Sequence, residues 1–150
     1  MREDDLRVIA GELFFLDTNI FVYSFDHSAA VKQDIAMQCI HIAHSSQNGV
    51  ISSQVVQEFL NVSRRNFSRP LNSLEQREYL DTVLVPLCRH FPSAPFYSMA
   101  LDVQEITGFA FYDTLMVTAA LECECKTLFS EDLQHGRVIQ DMTIINPFLS

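Results

Sequence analysis

Two acidic residues follow short apolar runs that have the pattern of buried strands. The run 13–16 consists of Leu and Phe and stops at Asp17, and the run 126–129 ends in Leu and Phe shortly before Asp132. In an open α/β sheet, ligands bind at the carboxyl ends of the strands, so both carboxylates are expected at one edge. Asp17 also has an alternative interpretation as a helix cap. The adjacent Glu131 is expected to point away, since neighbouring side chains at a strand end face opposite ways.

Two further acidic residues are expected on helices. The segment 53–65 has apolar residues at helical spacing, and Glu58 lies beside that stripe, where its carboxylate can turn toward the core side. A carboxylate on the helix surface is the alternative. From Thr114 onward the pattern is that of a mostly buried helix, which places Asp113 at its start, as a site residue or as an N-cap.

Four carboxylates at one sheet edge suit the binding of a hard divalent cation. Magnesium prefers oxygen ligands and keeps several waters, so one or two carboxylates bind it directly while others act through water. Such a site lowers the pKa of a bound water, orients it and stabilises charge on a leaving oxygen. Asp17, Glu58, Asp113 and Asp132 are therefore predicted to form a Mg²⁺ or Mn²⁺ site that hydrolyses phosphodiesters.

One basic cluster stands out in this acidic chain. Arg64, Arg65 and Arg69 surround Phe67. Guanidinium groups suit phosphate, and an aromatic ring can stack on an unpaired base, so the cluster is a candidate RNA-binding element. The alternative is a solvated helix terminus whose arginines oppose the helix dipole.

Composition sets the outer limits. The chain has 150 residues, of which 48% are hydrophobic, and a net charge of -9, so one domain spanning 1–150 is expected. The charge argues against a broad basic nucleic-acid surface, but a bound cation would reverse the local sign. No apolar run reaches the length of a membrane span or signal-peptide core, so a cytoplasmic location without a membrane partner is expected. The four cysteines are expected to be buried thiols.

The remaining apolar patterns predict the elements that position these residues in an α/β fold with a central, mostly parallel sheet. Helices are expected at 29–46, 73–85 and 96–106, and further strands at 50–52 and 142–145.

Turn and capping residues predict where these elements end. Gly49 is expected to stop the first long helix, and Ser53 and Ser73 are expected to cap the following two. The proline-rich segment 86–96 is expected to be a connector, and the polar segment 1–12 a frayed lead.

The sequence resembles the PIN-domain nucleases, and most closely the VapC-like toxin branch found with antitoxins in bacteria and archaea. The resemblance runs from about residue 13 to 148 and is carried, in order, by FLDTNIF with Asp17, SSQVVQEF with Glu58, FYDTLMVTAAL with Asp113, LFSEDLQHG with Asp132, and the closing INPF. It implies a three-layer α/β/α domain, an acidic quartet that binds magnesium or manganese, and endonucleolytic cleavage of RNA. Thr18 and Asn19 match positions that orient the first acid, and Ser130 matches a Ser or Thr that supports the last.

The resemblance also implies partners. Members of the family pair as homodimers and are inhibited when an antitoxin segment occupies the groove near the acidic site, so RNA, an antitoxin and a second copy of the chain are expected. Phe21, Tyr23 and Phe25 follow the first acid and are candidates for an interface, with a place in the core as the alternative.

Other functions share parts of this pattern. A PIN-domain nuclease for RNA processing would have the same catalytic residues as a toxin, and a phosphatase or a flap-type DNA nuclease could also use clustered acids. A catalytically silent binding module is a further alternative, but it has no reason to keep four mutually repelling carboxylates.

Overall fold

The computed structural model describes residues 1–149, which form a six-stranded sheet with helices packed against it. The strand order is β3-β2-β1-β4-β6-β5. All neighbouring strands are parallel except β5, which runs antiparallel to β6. The predicted α/β class with a central, mostly parallel sheet is confirmed. The strands are β1 Phe14–Leu16, β2 Gly49–Ser52, β3 Cys88–His90, β4 Thr127–Phe129, β5 Val138–Ile139 and β6 Met142–Ile145.

The described chain has eight helices, one before the first strand and seven between strands β1 and β4. They are α1 Glu3–Ile9, α2 Thr18–Tyr23, α3 Ala30–Ser46, α4 Ser53–Arg65, α5 Ser73–Tyr79, α6 Val85–Leu87, α7 Ala94–Thr107 and α8 Phe111–Glu122, and a π-helical turn, Leu80–Leu84, joins α5 to α6.

The two central strands bring their carboxyl ends into register. Phe14 pairs with Thr127, and Leu16 with Phe129. Every residue of β1 and β4 is buried, as a strand covered on both faces requires. The backbone N–H of Asp17 then donates to the carbonyl of Phe129 over 3.0 Å. The residues that follow β1 and β4 are therefore neighbours at one edge of the sheet.

Helix α8 is the buried helix of the fold. All residues from Thr114 to Ala120 are buried, and the helix packs against α7 and β2. The hydroxyl of Thr118 donates to the carbonyl of Thr114 over 2.7 Å, which satisfies this polar group inside the core. The rigid packing of α8 fixes the position of its first turn, which contains Asp113.

The segment 1–12 is not a frayed lead. Glu3–Ile9 is helical, and the side chain of Leu6 is only 2% exposed. The amino group of Met1 donates to the carbonyl of Pro147 over 3.1 Å. One buried Leu and a contact with the other end of the chain order a segment that has no clear apolar period.

The segment 86–96 is more than a connector. The helical path continues through Pro86 to Leu87, because a new helix begins at Val85 after the π-helical turn, and proline is tolerated in a first turn. Strand β3 follows and pairs in parallel with β2. The sequence pattern predicted neither β3 nor the two-residue strand β5.

Two predicted N-caps are wrong by one residue each. Ser52, not Ser53, is the N-cap of α4. Asn72, not Ser73, caps α5 by accepting from the backbone N–H of Glu75 over 2.9 Å, and the Glu75 carboxylate accepts from the N–H of Asn72 in return.

Gly49 begins β2 and does not end α3. The helix ends at Ser46, and its C-cap residue Gln47 has a left-handed φ of 61°. A Cβ at position 49 would lie 2.2 Å from the Cβ of Ala43, so glycine is required for the close approach of β2 to α3.

The four cysteines are free thiols, of which Cys39 and Cys125 are buried and Cys88 and Cys123 are half-buried. Among residues 1–149, no helix combines the length and apolar character needed to cross a lipid bilayer.

Candidate metal-binding active site

The structure brings the four predicted acids together. Asp17, Glu58, Asp113 and Asp132 all line one cavity of about 260 Å³ at the carboxyl ends of β1 and β4. Two strands and two helices contribute to it, from segments more than a hundred residues apart in the chain. The catalytic role of the four residues stays a prediction, but the proximity that this role requires is present.

Asp17 is the most buried of the four, with 8% of its surface exposed. It caps α2, since its Oδ1 accepts from the N–H of Thr18 over 2.6 Å, and its Oδ2 accepts from the hydroxyl of Ser130 over 2.8 Å. Burial, together with the charges of Asp132 and Glu58, raises the pKa of Asp17 to about 7, although the two hydrogen bonds oppose the shift. The cap interpretation is therefore confirmed, and it is compatible with the predicted place of Asp17 in a metal site.

Glu58 faces the cavity and not open solvent. Its Oε2 accepts from the hydroxyl of Thr18 over 2.7 Å, and its Oε1 accepts from Nε2 of Gln54 over 2.8 Å. The same Gln54 nitrogen donates to the carbonyl of Tyr112 over 3.1 Å. The carboxylate of α4 is thereby connected to the residue that follows Asp17 and to the first turn of α8.

Asp113 is not the cap of its helix. Helix α8 begins at Phe111 with Ala110 at the N-cap position, so Asp113 lies inside the first turn. Within residues 1–149, its carboxylate accepts no hydrogen bond from another side chain or from the backbone. Burial raises the pKa of Asp113, and the charge of Glu58 raises it further. Asp113 is therefore a half-buried carboxylate whose nearest electrostatic partner is another acid.

Asp132 is the most exposed member of the site. Its Oδ2 accepts from Nδ2 of Asn19 over 2.9 Å, and its backbone N–H donates to the hydroxyl of Ser130 over 3.2 Å. Burial raises the pKa of Asp132, as do the charges of Glu131, Asp113 and Glu58. The raised pKa values of Asp17, Asp113 and Asp132 indicate that these carboxylates are partly buried and lie close to other acidic groups.

Two of the three polar neighbours, Asn19 and Ser130, have other partners than the resemblance implies, whereas Thr18 bonds the first acid as implied. Asn19 bonds the last acid, Asp132, and not the first. The hydroxyl of Ser130 donates to the first acid, Asp17, and accepts from the backbone N–H of Asp132, so it does not contact the Asp132 carboxylate. Thr18 bonds Asp17 through its N–H and Glu58 through its hydroxyl. Each polar neighbour therefore joins two acids or two segments.

Glu131 is held outside the cavity, as predicted. Its Oε2 accepts from Nζ of Lys32 over 2.8 Å, and its Oε1 accepts from the hydroxyl of Tyr23. Burial alone would raise the pKa of Glu131, but these bonds hold it below its ordinary value. The Lys32 ammonium also lies 4.7 Å from the centre of the Tyr23 ring. Sequence reasoning missed Lys32, since nothing near it in the chain indicates a partner 99 residues away.

The three aromatic residues after Asp17 are mainly internal. Phe21 is fully buried, and Phe25 packs against Phe59 and Phe67 with ring centres 5.9 and 5.2 Å apart. The core alternative therefore applies to these two residues. Phe67 belongs to the same aromatic cluster, but it is only half-buried and also lines a cavity, so its role in base stacking stays a prediction.

The three arginines are exposed but differently placed. Arg64 donates to the hydroxyl of Ser73 over 3.0 Å, and Arg69 lines a separate cavity beside Phe67. Arg65 lies seven residues after Glu58 on α4, so it continues the helix face that Glu58 and Asn61 present to the acidic cavity.

The oxygen donors of the site suit a cation that keeps most of its water ligands, and not one enclosed by protein ligands. In the part of the chain that the structure describes, no group of three or more His, Cys, Asp and Glu side chains is arranged so that it could hold a metal ion. Each oxygen-rich side chain except Asp113 is instead bonded to a polar neighbour. Magnesium needs only one or two direct carboxylates, and a cation would relieve the repulsion that contributes to the raised pKa values of Asp17, Asp113 and Asp132.

No protein-family model and no curated protein sequence matches this chain. The crystal structure of FitAcB from Neisseria gonorrhoeae matches it with a TM-score of 0.59 and 16% sequence identity, over 91% of this chain and 99% of that chain. The chain has a PIN-like fold. This match confirms the three-layer α/β/α arrangement implied by the resemblance. A sequence identity of 16% does not show what reaction the protein catalyses.

Proposed function

We propose that this protein is a metal-dependent endoribonuclease that hydrolyses RNA phosphodiester bonds, and that it is the toxin of a toxin–antitoxin pair. The observation that carries the proposal is the convergence of Asp17, Glu58, Asp113 and Asp132 on one cavity at the strand ends of a PIN-like fold. The order of the sequence motifs around these residues supports the choice of RNA and of a toxin.

The four carboxylates are the residues that would hold Mg²⁺ or Mn²⁺. Such a cation, when bound, supplies an activated water and stabilises charge on the leaving oxygen. Asp17 is the best fixed of the four, because Thr18 and Ser130 bond one oxygen each. The hydrogen bonds from Thr18 to Glu58 and from Asn19 to Asp132 orient those two carboxylates toward the same cavity.

The chain offers two ways to receive an anionic substrate despite its net charge of -9. A cation between the carboxylates would make the cavity attractive to phosphate. Arg65 lies on the same face of α4 as Glu58 and Asn61, and it would meet the next phosphate along a single strand. Net charge therefore does not argue against the proposal.

Partners follow from the same proposal. An antitoxin would inhibit by covering the acidic cavity, and a homodimer would use apolar side chains that are exposed in the single chain, such as Ile106 and Val138. Light scattering at micromolar concentration tests the dimer, since a monomeric mass would exclude it.

The decisive experiment compares cleavage of single-stranded RNA with that of duplex and flap DNA, in Mg²⁺, Mn²⁺, Ca²⁺ and chelator. Cleavage of RNA with Mg²⁺ or Mn²⁺ alone is expected, because the larger and looser coordination of Ca²⁺ would misplace the attacking water. Equal cleavage in chelator would refute the metal site. Preferential cleavage of flap DNA would instead favour a DNA nuclease.

A nuclease for RNA processing would have the same site as a toxin, but it would not arrest growth and would not need an antitoxin. A neighbouring gene for a small DNA-binding antitoxin, together with growth arrest that this antitoxin reverses, is expected for the toxin. Active RNA cleavage without growth arrest would favour the processing enzyme.

A further inference from the structure

A second cavity, of about 170 Å³, lies beside the acidic one at the same edge of the sheet. Ser52 and His90 line it, and these residues are paired at the carboxyl ends of the parallel strands β2 and β3. Gln54 and Tyr112 line both cavities, so the two lie next to each other. A ligand that enters the acidic cavity can therefore extend into this one.

Two buried polar atoms in this second cavity lack hydrogen-bond partners. Among the described residues, only Ser52 Oγ and His90 Nε2 are buried side-chain polar atoms without a hydrogen bond. Ser52 is 2% exposed and His90 is 5% exposed. Nε2 of His90 lies 3.4 Å from Oε2 of Glu122, but in a geometry that makes no hydrogen bond. Buried polar groups are nearly always bonded, so both atoms are available to bond a ligand or a water in this cavity.

The walls are aromatic and uncharged. Phe96 forms the buried wall, and Tyr97 and Tyr112 form exposed walls with 46% and 68% of their surfaces accessible. None of the lining side chains is Asp, Glu, Lys or Arg, and the amide of Gln57 adds donors and an acceptor. Flat apolar walls with a few neutral hydrogen-bonding groups suit a planar, neutral, polar-edged ligand and do not suit a phosphate or an acidic peptide.

We infer that this cavity binds one nucleobase of the RNA strand whose backbone occupies the acidic cavity. The inference rests on the proposed function, which supplies the RNA. The base stacks against Tyr97 or Tyr112, and its edge bonds the hydroxyl of Ser52 and the ring nitrogen of His90. The cavity selects the base next to the cleaved phosphate, because a wrong edge leaves these two buried groups unpaired.

The test measures binding without cleavage. Short fluorescein-labelled single-stranded oligoribonucleotides of A, C or U are titrated in chelator and followed by fluorescence anisotropy. Wild type is expected to prefer one base, and an abasic position in the preferred oligonucleotide is expected to remove the preference. Equal affinity for all sequences and for the abasic strand would overturn the inference.

Variants distinguish a cavity that binds a nucleobase from one that holds only water. Tyr97→Ala is expected to weaken binding of the preferred oligonucleotide about tenfold, in line with the loss of one stacking wall, and Tyr97→Phe to retain it. Leu101→Ala, one turn later on α7 and similarly exposed, does not line the cavity and is the matched control. Ser52→Ala removes an unbonded hydroxyl, so it leaves stability unchanged while it lowers the base preference. Unchanged preference in both Tyr97→Ala and Ser52→Ala would show that the cavity holds water only.

The outcomes also separate this inference from the nuclease proposal. Base-selective binding that Tyr97→Ala abolishes, without cleavage in Mn²⁺ by wild type, would support the base site and refute the nuclease. Cleavage by wild type with a base preference that persists in both variants would support the nuclease and overturn the base site.

Discussion

The hydroxyl of Ser130 donates to Oδ2 of Asp17 over 2.8 Å and joins the carboxyl ends of β4 and β1. Both residues are buried, and they are 113 residues apart in the chain. The same hydroxyl accepts from the backbone N–H of Asp132 over 3.2 Å. One small side chain thereby fixes the most buried acid of the site and the loop that carries the most exposed one.

Ser130→Ala is expected to destabilise the protein more at pH 8 than at pH 5. The hydrogen bond favours the ionised form of Asp17, whose pKa is about 7, so its loss costs most where that carboxyl is charged. The expected loss at pH 8 is about 1–3 kcal/mol, since a buried charged group loses a donor. Urea unfolding at the two pH values measures it.

Ser63→Ala is the matched control for this variant. Ser63 is fully buried, and its hydroxyl donates to the carbonyl of Leu60 over 3.1 Å, with no ionisable partner. Its destabilisation is expected to be the same at both pH values. An equally flat response of Ser130→Ala would show that the Ser130 bond does not act on the charge of Asp17.

The metal-free protein is expected to lose stability as the pH rises from 4 to 7. The folded pKa of Asp17 is raised to about 7 from an ordinary value of 3.8, so the folded state holds a proton that the unfolded chain has released. The free energy of unfolding then falls by roughly 1.4 kcal/mol for each pKa unit of this difference, and the fall ends above the folded pKa. The side chain of Asn cannot ionise, so Asp17→Asn should remove this part of the pH dependence of the free energy of unfolding. Parallel slopes for wild type and Asp17→Asn in chelator would contradict the raised pKa.

Arg65 is expected to contribute more to RNA binding than the other two arginines of its cluster. It lies on the cavity face of α4, whereas Arg64 is bonded to Ser73 and Arg69 lines a separate cavity. Arg65→Ala should weaken binding and reduce the salt slope by about one, as the loss of one phosphate contact does. Salt-dependent titrations in chelator measure both quantities.

Arg77→Ala removes the same charge from an exposed position on α5 and serves as the control. It should leave the salt slope nearly unchanged. If Arg65→Ala binds as wild type does, and the combined change of Arg64, Arg65 and Arg69 to Ala does so too, the cluster is only a solvated helix terminus.

The strand ends could be predicted from the sequence because the runs before Asp17 and Asp132 are short, continuous and apolar. The helical periods likewise located Glu58 and Asp113 to within a turn. The remaining contacts depend on tertiary structure: the partner of Asn19 is 113 residues away, and that of Lys32 is 99 residues away. Strand β3 and the second cavity escaped prediction for a related reason, since a three-residue strand between prolines has no period to detect.

The last prediction concerns Asp113, the one acid of the site that no hydrogen bond within residues 1–149 orients. Burial and the charge of Glu58 raise its pKa, so its ionised form strains the metal-free fold. Asp113→Asn keeps the size of the side chain and removes the charge. The variant should therefore be as stable as wild type in chelator, or somewhat more stable.

In contrast, Asp113→Asn should abolish RNA cleavage and lose most of the thermal stabilisation that Mn²⁺ gives to wild type, because a ligand that binds only the folded state stabilises it by mass action. Glu105→Gln removes a charge from an exposed position on α7, away from the cavity, and should keep both activity and the response to Mn²⁺. Thermal melts of the three proteins with and without Mn²⁺, beside one cleavage assay, distinguish a metal-site carboxylate from a merely structural one. An Asp113→Asn protein that still cleaves RNA would refute the four-carboxylate site, since a carboxamide cannot replace the charge that holds the cation.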